Sequence, residues 1–125
     1  MSSSTKKNIL VAEDEETNYL FIEAVLESGS EDYVIYHAKN GEQAVNMCNQ
    51  NSMHIVLLDL KMPILDGFEA ARIIKKQHPQ IPIIAQTAYS TDEDRQKAID
   101  AGCTDFISKP IENKKLIALI RTHIL

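Results

Sequence analysis

Hydrophobic positions along the chain fall into two alternating patterns. The first is a set of short, nearly unbroken apolar runs: Ile9-Leu10-Val11-Ala12, Ile55-Val56-Leu57-Leu58 and Ile81-Pro82-Ile83-Ile84-Ala85. A strand with one wet face alternates apolar and polar residues, whereas a run without alternation is covered on both faces. That is the habit of parallel strands lying between helices. Together with two shorter stretches, the runs predict strands over residues 8–13, 33–38, 54–59, 83–87 and 105–108.

The second pattern has helical spacing and fills the gaps. Leu20, Phe21, Ala24 and Val25 mark the apolar side of a first helix. Asn40 is placed to cap a second, with Gln43 three residues on and Ala44, Val45 and Cys48 on its inner side. Phe68, Ala71 and Ile74 mark a third. Ser90 and Glu93 have capping-box spacing before a fourth, whose inner residues are Ala98 and Ile99. Leu116, Leu119, Ile120 and Ile124 form the stripe of a fifth. Gly29 and Gly102 sit where the first and fourth helices should stop.

Five strands alternating with five helices predict an α/β fold, a doubly wound parallel sheet with right-handed crossovers and helices on both faces. Sheets of this kind bind ligands beyond the carboxyl ends of their strands. Those ends carry Glu13-Asp14 on the first strand, Asp59 on the third, Thr87 on the fourth and Ser108-Lys109-Pro110 on the fifth. Alone, each could be an ordinary turn, cap or solvated surface residue. Together they place three carboxylates, a hydroxyl and an ammonium on one rim. Such an acid cluster repels itself unless a divalent cation sits among the oxygens and a lysine offsets part of the charge.

Composition narrows the class. The 125 residues suit one domain with a self-sufficient core. A formal net charge of -5 opposes non-specific attraction to nucleic acid and to anionic membrane, so no direct nucleic-acid binding and no membrane contact are expected. Cys48 and Cys103 lack metal-type spacing and suit reduced, partly buried thiols in a cytoplasmic protein. His37, His54, His78 and His123 show no ligand spacing and are given no chemistry. Residues 1–6, polar and without an apolar stretch, are expected to be a disordered leader, leaving 7–125 as the functional domain.

At this level of detail the chain resembles the receiver domain of two-component signalling proteins. The resemblance rests on Ile9-Leu10-Val11-Ala12-Glu13-Asp14, on Leu57-Leu58-Asp59-Leu60-Lys61-Met62-Pro63 with Asp66-Gly67, on Pro82-Ile83-Ile84-Ala85-Gln86-Thr87-Ala88, and on Ala101-Gly102-Cys103 through Asp105-Phe106-Ile107-Ser108-Lys109-Pro110. It runs from about residue 7 to the last. It implies a flavodoxin-like sheet in strand order 2-1-3-4-5.

It also implies roles. Asp59 is the phosphoacceptor, a carboxylate nucleophile that needs no general base. Asp14, Asp59 and the main-chain carbonyl of Lys61 hold Mg²⁺, with Mn²⁺ as a substitute and Glu13 acting through water. Lys109 pairs with Asp59 and then with a phosphoryl oxygen, and Thr87 bonds another. Lys109-Pro110 is a cis peptide, and Thr87 with Phe106 forms the switch. Lys61 and Tyr89 flank the path of hydrolytic water and tune the lifetime of the modification. The implied partners are a histidine kinase or histidine phosphotransfer domain, and a second copy through the fourth helix, fifth strand and fifth helix.

Glu13 stands where aspartate is commoner and Phe106 where many relatives carry tyrosine. Asn18, four residues after Asp14, and the Ala85-Gln86-Thr87-Ala88 stretch resemble receivers of hybrid histidine kinases, with a stand-alone response regulator as the alternative. A flavin carrier on the same fold would need a hydroxyl- and glycine-rich loop where Glu13-Asp14-Glu15-Glu16 stands. An aspartate-nucleophile hydrolase would usually carry an acid at Lys61.

Overall fold

The computed structural model describes residues 6–29, 31–62, 64–88 and 91–124. Five strands alternate with five helices: β1 (Lys7–Ala12), α1 (Glu16–Glu27), β2 (Tyr33–Ala38), α2 (Gly41–Gln50), β3 (Ile55–Asp59), α3 (Gly67–Gln77), β4 (Ile83–Thr87), α4 (Asp92–Asp100), β5 (Asp105–Ser108) and α5 (Asn113–Ile124). All neighbouring strands pair in parallel, in the order β2-β1-β3-β4-β5. β1 ends one residue before its expected bound and β3 starts one residue after its own, which leaves Glu13 just beyond the sheet and His54 just before it.

Alternate residues of the central strands feed two separate cores, because side chains point to opposite faces along a strand. Leu10, Ala12, Val56, Leu58, Ile83 and Ala85 pack under α2, α3 and α4, with Ala44, Cys48, Ala71, Ile74 and Ala98. Ile9, Val11, Ile55, Leu57, Ile84 and Ile107 pack under α1 and α5, with Ile22, Leu26, Leu116 and Ile120. The unbroken apolar runs therefore mean what they predicted, two covered faces.

Local signals account for several helix ends. The Asn40 side chain accepts from Gln43 N at 2.8 Å, while Gln43 Oε1 accepts from Lys39 N at 2.8 Å, so both ends of this cap are satisfied. Asp66 caps α3 through Glu69 N at 2.9 Å. Gly102 ends α4 with a φ of +104°, a conformation that costs glycine little.

Three expectations change. On α1 the buried stripe is Tyr19, Ile22, Val25 and Leu26, while Leu20, Phe21 and Ala24 face outward. Two apolar neighbours, Leu20-Phe21, lie roughly 130° to either side of the buried 19/22/26 line, so turning that line inward leaves both facing outward. On α4 Ala98 is buried but Ile99 is 51% exposed. The expected cap Ser90 lies outside the described residues; the cap of α4 is Thr91, whose hydroxyl accepts from Asp94 N at 3.1 Å.

Candidate functional site

The carboxyl ends of β1, β3, β4 and β5 open into one cleft of about 270 Å³. Asp14, Asp59, Lys61, Thr87 and Lys109 line it, together with Glu15, Leu60, Phe68, Gln86, Ala88 and Asp94. Parallel pairing brings these residues together. Asp59 sits beside Gln86, and Thr87 beside Ser108, as the last registered pairs of their ladders.

Asp59 is held at both oxygens. Lys61 N–H donates to Oδ1 at 3.0 Å, and the Lys109 ammonium donates to Oδ2 at 3.0 Å. The same ammonium lies 3.3 Å from Glu13 Oε1. Glu13 is fully buried, its Oε2 accepts from Glu15 N at 3.2 Å, and Asn18 Nδ2 donates to its Oε1. Its backbone is pinned as well, by Glu13 N to Ala38 O at 2.9 Å and by His37 Nε2 against Glu13 O at 2.8 Å.

Burial pushes the Glu13 carboxyl above the ordinary carboxylate range, against the Asn18 hydrogen bond, and the nearby Asp59 charge adds to the rise. For Lys109, burial pulls downward, but the hydrogen bond and charge of Asp59, and then Glu13, outweigh it and hold the ammonium above its usual range. One cation thus bridges two buried acids while Asp14 stays exposed.

Carboxylate oxygens of Glu13, Asp14 and Asp59 lie within 4.8 Å of one another. A hard divalent cation seeks such a set: oxygen donors, mixed burial, and a negative balance left after Lys109 is counted. The residues present fit a metal of that class.

Not every expected residue joins the cleft. Phe106 lies on β5, half-buried, with the Arg95 guanidinium 5.7 Å from its ring centre. Tyr89 lies outside the described residues. The Lys109–Pro110 peptide is cis. Sequence reasoning passed over the grip of Asn18 and His37 on Glu13, because neither has spacing that marks a partner on another element. It also missed Ile64, which sits in the loop after β3 with a φ of 70°, a left-handed conformation that is unusual for a β-branched side chain. No helix among the described residues is long and apolar enough to cross a membrane.

Comparison with known proteins agrees with this geometry. The chain is 34% identical over 132 residues to hybrid signal transduction histidine kinase I of Dictyostelium discoideum, covering 98% of this chain but only 8% of that kinase. Its fold superposes on the receiver domain of a sensor histidine kinase from Pseudomonas aeruginosa, solved with a magnesium ion coordinated in the active-site cleft. That match has a TM-score of 0.87 and 33% identity, over 96% of this chain and 98% of the other. A similar match, TM-score 0.86 and 30% identity over 95% of this chain and 89% of the other, is to the receiver domain of Ssk1 of Saccharomyces cerevisiae. That domain was solved together with the histidine phosphotransfer protein Ypd1. The family model for the response regulator receiver domain matches residues 9–121, and the chain belongs to that family.

Proposed function

We propose that this domain accepts a phosphoryl group on Asp59 from a phosphohistidine on a histidine kinase or histidine phosphotransfer domain. The observation that carries the reading is the Lys109–Asp59–Glu13 arrangement, with Lys109 Nζ at 3.0 Å and 3.3 Å from the two acids, at the mouth of a cleft that Asp14 and Thr87 also line. An Asp59 oxygen bonds to phosphorus, the P–N bond to the donor imidazole breaks, and the freed nitrogen keeps the electron pair and takes a proton from water. An acyl phosphate is left on Asp59.

Charge in this transfer spreads over the equatorial phosphoryl oxygens, so positioning and cations do most of the work. Lys109 is already seated against Asp59 and follows the charge onto one phosphoryl oxygen, and Thr87 donates to another. Asp14, Asp59 and the Lys61 main-chain carbonyl would hold Mg²⁺, or Mn²⁺ in its place, with Glu13 acting through water. Bound there, the metal supplies further neutralisation of the phosphoryl oxygens.

As Thr87 is drawn inward, the Phe106 ring turns into the space beside it, which reshapes the α4-β5-α5 face for an output partner or a second copy of the domain. The transfer is self-catalysed and single, so the domain is a phosphoacceptor and not a turnover enzyme. Self-dephosphorylation is slow, since neither Lys61 nor Tyr89 offers an amide or carboxylate to aim a water in line. The domain belongs to the cytoplasmic part of a longer hybrid kinase, the Asn18 and Gln86 features favouring that parent over a stand-alone regulator.

Incubation with acetyl phosphate and Mg²⁺, followed by mass mapping of the acid-labile product, tests the reading. Label is expected on Asp59, lost in Asp59→Asn and lost in excess chelator. A label on another residue, or full labelling without metal, would overturn it.

A further inference from the structure

Asn18 and Gln86 stand 68 residues apart in the chain, on α1 and β4, yet one amide group joins them. Asn18 Nδ2 donates to Glu13 Oε1 and reaches Gln86 Oε1 at 3.4 Å. Gln86 is fully buried and neighbours Asp59 directly in the β3–β4 register.

The chemistry of the group dictates its orientation. A carboxylate accepts and cannot donate, so Asn18 must turn its NH₂ toward Glu13 and not its oxygen. With that NH₂ fixed, Gln86 must in turn present its oxygen to Asn18. This leaves Gln86 Nε2 buried without a hydrogen-bond partner among the described residues. A buried amide left half-satisfied is costly, so its retention points to a role for the half that is satisfied.

Glu13 Oε1 is shared. Lys109 lies 3.3 Å from it and 3.0 Å from Asp59 Oδ2. A neutral donor on that oxygen satisfies part of the Glu13 charge, so the carboxylate stays where it is and Lys109 stays with Asp59. Without that donor the ammonium is the strongest remaining partner of the buried Glu13 and would be drawn toward it.

We propose that Asn18, braced by Gln86, is a positioning residue that holds the Glu13 carboxylate in its metal-facing place and reserves Lys109 for Asp59 and the incoming phosphoryl group. The inference rests on reading the cleft as a metal-dependent phosphoacceptor site. It also accounts for the joint occurrence of the two residues that suggested a hybrid-kinase receiver: they are halves of one contact.

The test measures Mg²⁺ affinity of the unphosphorylated domain by amide shifts in NMR, for wild type, Asn18→Ala, Gln86→Met and the double variant. Partners that orient metal ligands typically matter ten- to a hundredfold in affinity. Asn18→Ala is expected to weaken Mg²⁺ binding by roughly tenfold and to lower the urea midpoint only modestly, since the helix propensity of alanine offsets part of the hydrogen bond lost from buried Glu13. Gln86→Met, nearly isosteric, should weaken it by a few-fold, and the double variant should match Asn18→Ala, because Gln86 acts only through Asn18. Wild-type affinity in Asn18→Ala would overturn the proposal, as would fully additive losses in the double variant. Absence of Mg²⁺ binding in wild type would overturn the metal reading of the cleft and this inference with it. Normal wild-type binding with an indifferent Asn18→Ala would overturn the inference alone.

Discussion

Helices α3 and α4 both follow strands that end in the cleft, Asp59 on β3 and Thr87 on β4, but they are fastened very differently. The Asp66 side chain caps α3, Gly67 N–H donates back to Leu60 O at 3.2 Å, and Gly67, Ala70, Ala71 and Ile74 are buried beneath it. Any side chain at Gly67 would collide with the backbone of Asp59 and Leu60, so the helix start is pressed onto the strand that carries the proposed phosphoacceptor. Of the nine residues of α4, only Ala98 is buried. Apart from its capping hydrogen bonds, its side chains reach neighbouring elements through two cationic contacts: Arg95 over the Phe106 ring, and Lys97 4.7 Å from the centre of the Phe68 ring.

The difference divides the labour of the cleft. The α3 side has the apolar burial that fixes geometry, and nucleophile and metal ligands need fixed geometry. The α4 side has little burial to lose, so under the proposed function it can move at small cost when a phosphoryl group arrives. A switch needs both in contact with the same ligand, one wall rigid and one wall soft.

The same substitution on both helices gives the largest contrast. Ile74→Ala empties a fully buried site on α3 and should cost about 2–5 kcal/mol. Ile99→Ala on α4 removes a side chain that is half in water and should stay within about 0.5 kcal/mol of wild type. Urea denaturation measures both. Equal losses would mean that α4 is packed as firmly as α3, and the division above would fail.

The two thiols sharpen the comparison. Cys48 lies on α2 in the core under α3, and Cys103 follows α4, its N–H bonded to Ala98 O at 2.9 Å. Burial pushes both up to about 11, from an ordinary 9.0. Both thiols are buried and carry far less thiolate at pH 8 than an ordinary cysteine, so labelling at that pH goes largely through opening. If α4 opens alone, Cys103 should label roughly tenfold faster than Cys48; equal rates would show that α4 opens only when the whole domain does. The shift has a consequence for stability too. Between pH 9 and about 11 the unfolded thiols release their protons while the folded ones keep them. The unfolded state then binds fewer protons, and the urea midpoint should fall as pH rises through that window.

Sequence patterning foretold this contrast only in part. The parallel sheet was legible because Ile9–Ala12 and Ile55–Leu58 are covered on both faces, and a strand with one wet face would have broken those runs with polar residues. The cleft residues were legible because strand ends in a parallel sheet share one rim. The α4 interior was not. Ala98 and Ile99 are equally apolar neighbours, and a helix with so short a buried stripe gives no period from which to choose its inner face. The outward turn of Leu20-Phe21 was hidden for a related reason: Tyr19, polar-tipped, takes the inner place, stacked 3.6 Å from the His37 ring and donating to Glu23. The grip of Asn18 on Glu13 spans only five positions, but the spacing does not say that the side chains meet across the β1–α1 turn, and the Asn18–Gln86 contact spans 68 positions, which no local pattern records.

The smallest expected effect tests what the cations on α4 do. Exposed cation–π contacts contribute about 0.5–1 kcal/mol each, so Arg95→Gln and Lys97→Gln should each lower stability by no more than that. Their consequences should differ in place. Lys97 ties α4 to Phe68, a residue of α3 that lines the cleft, whereas Arg95 ties α4 to Phe106, the ring proposed to turn inward. If the ring turns inward as proposed, releasing Phe106 removes a contact of the resting state, and a ligand gains affinity when the state it disfavours is weakened. Arg95→Gln should therefore bind beryllofluoride, a phosphoryl mimic, about two- to fivefold more tightly, the equivalent of about 0.5–1 kcal/mol. Hydrogen exchange in α4 should quicken while that of α3 stays unchanged, because the apolar fastening of α3 is untouched. If Arg95→Gln bound the mimic more weakly, the guanidinium would be serving the active state instead of restraining the ring. If exchange quickened equally in α3, the two helices would move as one, and the soft wall would have no independence from the rigid one.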